Sequence, residues 1–249
     1  MEVGMTYGDV HVHIDASDAG RERLRLAARI AAFSGAHVTG YFINVPPQPL
    51  SNIELMSDAG LRSNADGDEL KVMVEARERE LWHTEAAFKA QMKEAGIEAT
   101  WSAVPGDSFS ALNPDAVYGD LTILGDAALP ASTAAATYFA GRLAYTSGRP
   151  VLRLSSAAKA ASVGTRILIA WKESREAARA VADAIPLLKQ ASFVALMQVV
   201  EPSREIRDGL DALEKIVVHL RHFGIRAERY VVQAPRFETG RELLAHADR

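Results

Sequence analysis

The 249-residue chain contains no cysteine. Disulfides, thiolate metal centres and a cysteine nucleophile are therefore excluded. No stretch reaches the roughly 18 consecutive apolar residues that a membrane span needs, although 48% of the residues are apolar. No basic stretch leads into an apolar run at the amino terminus, so no secretory signal is legible. A cytoplasmic location without membrane contact is the expectation. An excess of charge of one sign is also missing. Lys and Arg number 28 against 32 Asp and Glu, a net charge of -4, which leaves no basic field to recruit nucleic acid.

What the chain does have is an internal repeat, which constrains a fold more than any single motif. Val12-His13-Ile14-Asp15-Ala16-Ser17 opens a helical stretch that Gly35 ends, and a strand follows over 38–43. Ile169-Ala170-Trp171-Lys172-Glu173-Ser174 opens a second such helix, followed by a strand over 194–200. Gly96-Ile97-Glu98-Ala99 is echoed by Gly224-Ile225-Arg226-Ala227.

The first copy reads as five strands alternating with four helices. Asp15 and Ser17 offer capping oxygens for the first helix, and Leu24, Ala27, Ala28, Ile30 and Ala31 recur at helical spacing. Pro46, Pro47 and Pro49 break regular structure, and 50–67 reads as a loop. A long helix is predicted over 69–95, a strand over 97–104 and a short helix within 109–118. Leu121 to Leu124 is a continuous apolar run, the mark of a strand buried on both faces. A helix over 131–146 and a strand over 151–154 complete the unit. Ser155 to Gly164, small and polar, reads as a linker. The second copy reads as strand 166–171, helix 175–190, strand 193–200, helix 204–223, strand 225–232 and helix 238–247. The expected division is 1–155 and 165–249, with strand four, its loop, helix four and strand five absent from the second copy. Alternating strands and helices imply α/β architecture with parallel sheets. Strand 166–171 would then be an apolar sheet edge needing a partner.

In this order and spacing the chain resembles a tandem bacterial member of the universal stress protein family. The likeness is carried by Asp15-Ala16-Ser17 and by Asp120-Leu121-Thr122-Ile123-Leu124-Gly125, which is similar to the family's ADLIVLG. Gly148-Arg149-Pro150-Val151-Leu152 and the segment from Ile167 to Leu188 add to it. The resemblance implies two doubly wound domains of strand order 3-2-1-4-5, the second without its last two strands, and pairing as a dimer. Some members bind ATP. For those, it implies an Asp at the end of strand one, here Asp15, and backbone atoms after strand two, here Ile43 and Asn44. It also implies a glycine loop after strand four, beginning here at Gly125.

Such a loop needs glycines for close backbone approach and helix amides to receive the anion. Here Ala128 stands at the second glycine's place, and Asp126 would repel phosphate at short range. In the second copy Lys172 replaces the aspartate. Asp15 reads equally as a helix cap. His11, His13 and Asp15 alternate along one strand face and form a candidate metal set, weighed against simple packing. His219 and His222 share a helix face, which reads as a polar surface. Glu75, Arg77, Glu78, Arg79 and Glu80 read as a solvated charged face, and Trp101 and Trp171 as core or interface. No Ser/His/Asp set or nucleophile elbow is evident. The expected function is that of a non-enzymatic stress-response protein acting through domain pairing and partner contacts, with a degenerate nucleotide site. The alternatives are an adenine-nucleotide sensor using the Asp15 pocket or a site completed beyond Arg249, and an enzyme of the related nucleotide α-hydrolase fold.

Overall fold

The structure, a computed structural model, describes residues 6–44, 65–105, 108–125, 133–203 and 205–247. Two units are distinguished, Thr6–Ala160 and Ala161–Arg249, the latter with Met1–Met5.

The first unit holds a five-stranded parallel sheet. Its strands are β1 (Asp9–His13), β2 (His37–Asn44), β3 (Ala99–Pro105), β4 (Leu121–Gly125) and β5 (Val151–Leu154). Their spatial order is β3-β2-β1-β4-β5, as the family resemblance implied. Four helices connect them: α1 (Asp18–Ser34), α2 (Ala65–Glu94), α3 (Ser108–Ala116) and α4 (Thr133–Ser147). Right-handed crossovers place α1 and α2 on one face and α3 and α4 on the other. Side-chain alternation matches this. Gly40 of β2 faces Phe88 of α2, whereas Tyr41 packs with Leu112 of α3 and Phe139 of α4. All five residues of β4 are buried, as a strand covered on both faces must be.

Helix ends follow local chemistry. Ser17, not Asp15, caps α1, its hydroxyl accepting from the Gly20 amide at 3.0 Å. Ser174 caps the corresponding helix of the second unit through the Ala177 amide at 3.2 Å. Gly35, Gly96 and Gly224 take left-handed φ values of 70°, 66° and 77°. In each case the next residue's amide reaches five residues back: Ala36 to Ala31, Ile97 to Met92 and Ile225 to Leu220. This closes the helix carbonyls and delays the next strand, so β3 starts at Ala99 rather than at Ile97.

The second unit is a three-stranded parallel sheet of β6 (Arg166–Ala170), β7 (Phe193–Val200) and β8 (Glu228–Gln233) in the order β6-β7-β8. Its helices are α5 (Arg175–Leu188), α6 (Ile206–Arg221) and α7 (Thr239–Ala247). Ile185 of α5, Leu196 of β7 and Leu213 and Leu220 of α6 are fully buried in one cluster. Ile169 and Trp171 pack against that cluster. Among the described residues, β6 pairs with β7 alone. The stretch 155–164 is less free than its composition suggests: Ala160 is buried, and its amide donates to Glu22 of α1 at 2.8 Å.

No helix among the described residues is long and apolar enough to cross a membrane.

Candidate functional site at the carboxyl end of the first sheet

In an open parallel sheet, ligands sit beyond the carboxyl ends of the strands where the strand order reverses. Here that point lies between β1 and β4. The β1 end delivers Ile14, Asp15 and Ser17; the β4 end delivers Gly125. The structure therefore gathers Asp15 and Gly125 at one crevice, with Ile43 and Asn44 at the neighbouring end of β2. Residues 126–132, which include Asp126 and Ala128, lie outside the described residues.

Both carboxylate oxygens of Asp15 are engaged by its own chain. One carboxylate oxygen accepts from the Ser17 amide at 2.9 Å and from the Ser17 hydroxyl. The other accepts from Nη2 of Arg23. Burial pushes the Asp15 carboxyl upward, but the Arg23 charge and the Ser17 hydrogen bonds outweigh it and hold the carboxyl below its ordinary range. The Arg23 side chain is 1% exposed, and its Nε donates to the His13 carbonyl at 2.9 Å. Its guanidinium lies against Gly125, where a Cβ would stand 2.0 Å from Nη1.

The β2 end is occupied in the same way. Arg77 of α2 donates from Nη2 to the Ile43 carbonyl and from Nε to the Asn44 side chain at 3.4 Å. It also pairs with Glu80 at 2.6 Å, and its guanidinium lies 4.3 Å from the centre of the Phe42 ring. Arg77 therefore does not belong to the solvated face expected of 75–80. Its long side chain turns back along the sheet end.

Arg23 and Arg77 are the residues that sequence reasoning missed. Arg23 carried a signal. It falls three residues after Gly20 and four before Ala27, on the stripe that also holds Leu24 and Ile30, so it is a charge on a buried helix face. Arg77 carried none that separates it from its charged neighbours.

His11 and His13 share the face towards α3 and α4, as alternation requires. His13 feels the Asp15 charge, but the three do not form one metal-holding group. His11 Nε2 lies 3.4 Å from Asp9, and its ring meets Tyr41 edge-on at 5.2 Å. His13 is buried, and its pKa is lowered to about 4, first by burial and then by the charge of Arg23. Among the described residues, no group of three or more His, Asp or Glu could hold a metal ion. Trp101 packs between Phe42 and Phe88, at ring distances of 6.0 and 5.5 Å, as a core residue. A cavity of about 290 Å³ lies beside Asp15, walled by Ile14, Gly20 and Leu24 and, from α2, by His83, Thr84 and Ala87.

In the second unit, Lys172 occupies the place after the first strand that Asp15 holds in the first. It lines a cleft of about 760 Å³ with Trp171, Gln198, Glu201 and Arg236. The charge at the strand end is thus of opposite sign in the two units. His219 stacks edge-on with Phe223 at the end of α6, 5.2 Å between centres.

No protein-family model matches the sequence, and no curated protein is significantly similar to it. Solved structures do resemble it. A universal stress protein from Archaeoglobus fulgidus DSM 4304 superposes with a TM-score of 0.61 at 16% identity, over 96% of this chain and 82% of that one. A universal stress protein family member from Burkholderia pseudomallei matches at 18% identity over 61% of this chain and 98% of that one, TM-score 0.42. A universal stress protein in complex with cAMP matches at 22% identity over 61% and 100%, TM-score 0.42. Strand order, parallel pairing and this likeness agree: the chain has the fold of the universal stress proteins.

Proposed function

We propose that this chain is a stress-response protein of the universal stress protein kind that works without catalysis, through pairing and partner contacts, and whose nucleotide site is degenerate. One observation carries the reading: both carboxylate oxygens of Asp15 already accept from this chain, one from Ser17 and the other from Arg23. A ligand at the carboxylate would have to compete with a buried arginine for it. The Ile43 carbonyl, the natural acceptor for an adenine amine after β2, is likewise engaged by Arg77.

Association is supported by the surface. Tyr138 and Tyr145, seven residues apart on α4, are 72% and 90% exposed. Aromatic side chains at such spacing on one helix face suit a protein contact. A homodimer is the simplest such partner.

Calorimetric titration with Mg·ATP tests the reading. No heat of binding at millimolar ligand is expected from the native chain, together with a dimer mass by light scattering. Saturable binding in the micromolar range would favour the alternative, an adenine-nucleotide sensor, for which the cavity beside Asp15 offers space.

A further inference from the structure

We propose that the tethered side chain of Arg23 bars phosphate-bearing ligands from the crevice between Asp15 and Gly125 by filling it, and thereby decides what this unit can bind. The inference rests on the reading above that this end of the sheet is closed, and it names the residue that closes it.

A glycine at the end of a buried strand leaves room for a ligand to approach the backbone. At Gly125 that room is taken. A Cβ there would stand 2.0 Å from Nη1 of Arg23 and 2.6 Å from Cζ. The guanidinium is fixed from two further sides, by the Asp15 carboxylate at Nη2 and by the His13 carbonyl at Nε. Its plane is rigid and its charge permanent, so it cannot yield by losing a proton.

The remaining nitrogen is less well placed. Nη1 is buried and meets no acceptor among the described residues. A buried donor left unmade is costly and uncommon. The guanidinium is held by two of its three nitrogens, while the third points at the bare face of a glycine. That face is the room the guanidinium takes from any ligand.

Removing the guanidinium changes both halves of the crevice at once. Gly125 regains its open side. Asp15 loses its counter-ion and becomes an oxygen ligand of the hard type that Mg²⁺ takes alongside phosphate oxygens. The ligand class admitted is therefore a magnesium–phosphate pair, as in a nucleoside phosphate.

The test is titration of Arg23→Ala with Mg·ATP beside the native protein, both checked for native circular dichroism. The expected result is no binding by the native chain and a dissociation constant at least tenfold lower for the variant. A folded variant that binds no better than the native chain overturns the proposal and leaves the closed-site reading standing. Tight binding by the native chain overturns both. Should the variant not fold, the Nε–H resonance of Arg23 in the native protein decides. Slow exchange with solvent and no movement with millimolar Mg·ATP support a tethered plug; rapid exchange overturns it.

Discussion

Arg23 and Gly125 are fitted to each other: the guanidinium of the first lies where any side chain on the second would have to be. The glycine is required here by what packs on it, not by its φ. Gly125→Ala should therefore destabilise the first unit by about 1–3 kcal/mol, the usual cost of overpacking. The effect should shrink when Arg23 is also shortened to alanine. Urea melts of the two single variants and the double variant measure the coupling. Additive losses would show that the contact is not the cause.

The ion pair of Arg23 with Asp15 is asymmetric. The arginine side chain is 1% exposed and the aspartate 21%. Asp15→Ala strands a guanidinium with no access to water, at a cost of about 3–5 kcal/mol. Arg23→Met keeps the packing and leaves a carboxylate that water can reach, so roughly half that loss is expected. Chemical denaturation of both variants at neutral pH gives the comparison, and equal losses would contradict it.

Stability should fall with acid well before the carboxylates titrate. His13 has a folded pKa of about 4, below the unfolded value of about 6.5. Between those pH values the unfolded chain binds a proton that the folded chain refuses. Stability is therefore full above the unfolded pKa and declines as pH drops through the window, by at most roughly 3 kcal/mol. Asp15, held below its ordinary range, adds a further loss at lower pH, where its pair with Arg23 is protonated away. In His13→Leu the slope between pH 6.5 and 4 should flatten while the more acidic limb remains. Thermal melts across pH 4 to 7 would show it; an unchanged slope would assign the effect elsewhere.

Ser17 and Ser174 cap equivalent helices, and each also bonds a carboxylate, Asp15 for Ser17 and Glu176 for Ser174. Ser174→Ala should cost about 1 kcal/mol. Ser17→Ala should cost more, because the carboxylate that loses its hydroxyl donor is the half-buried Asp15, whereas Glu176 is exposed and water replaces the bond. Denaturant midpoints of the two variants test the order.

Much of the first sheet was legible because its signals are short-range. The apolar run Leu121–Leu124 specified a strand covered on both faces. The glycines at 35, 96 and 224 specified helix ends. The strand starts were misplaced for a local reason too. Ile97 and Ile225 are β-branched and read as strand, yet each is used to close the preceding helix, its amide bonded five residues back. Asp15 was legible as important but not for its role, since its partner Arg23 lies eight residues away on α1 and the bond exists only once the helix folds back on the sheet. Arg77 was illegible for a different reason. A side chain that long can point to solvent or return to the sheet, and spacing does not distinguish the two. The loop after β4, which the sequence singled out for its missing glycines, lies outside the described residues.

Strand β1 is bonded on both sides, with Val10, His11 and Val12 each in register with β2 and with β4. Backbone amides in such a position are released only when the whole unit opens, and exchange their hydrogens last. Asp15 sits two residues beyond this strand, and Gly125 closes its neighbour. The crevice is thus bolted to the slowest-opening part of the unit, so any adaptation to a ligand must come from side chains and from the loops around it, while the backbone beneath keeps its place.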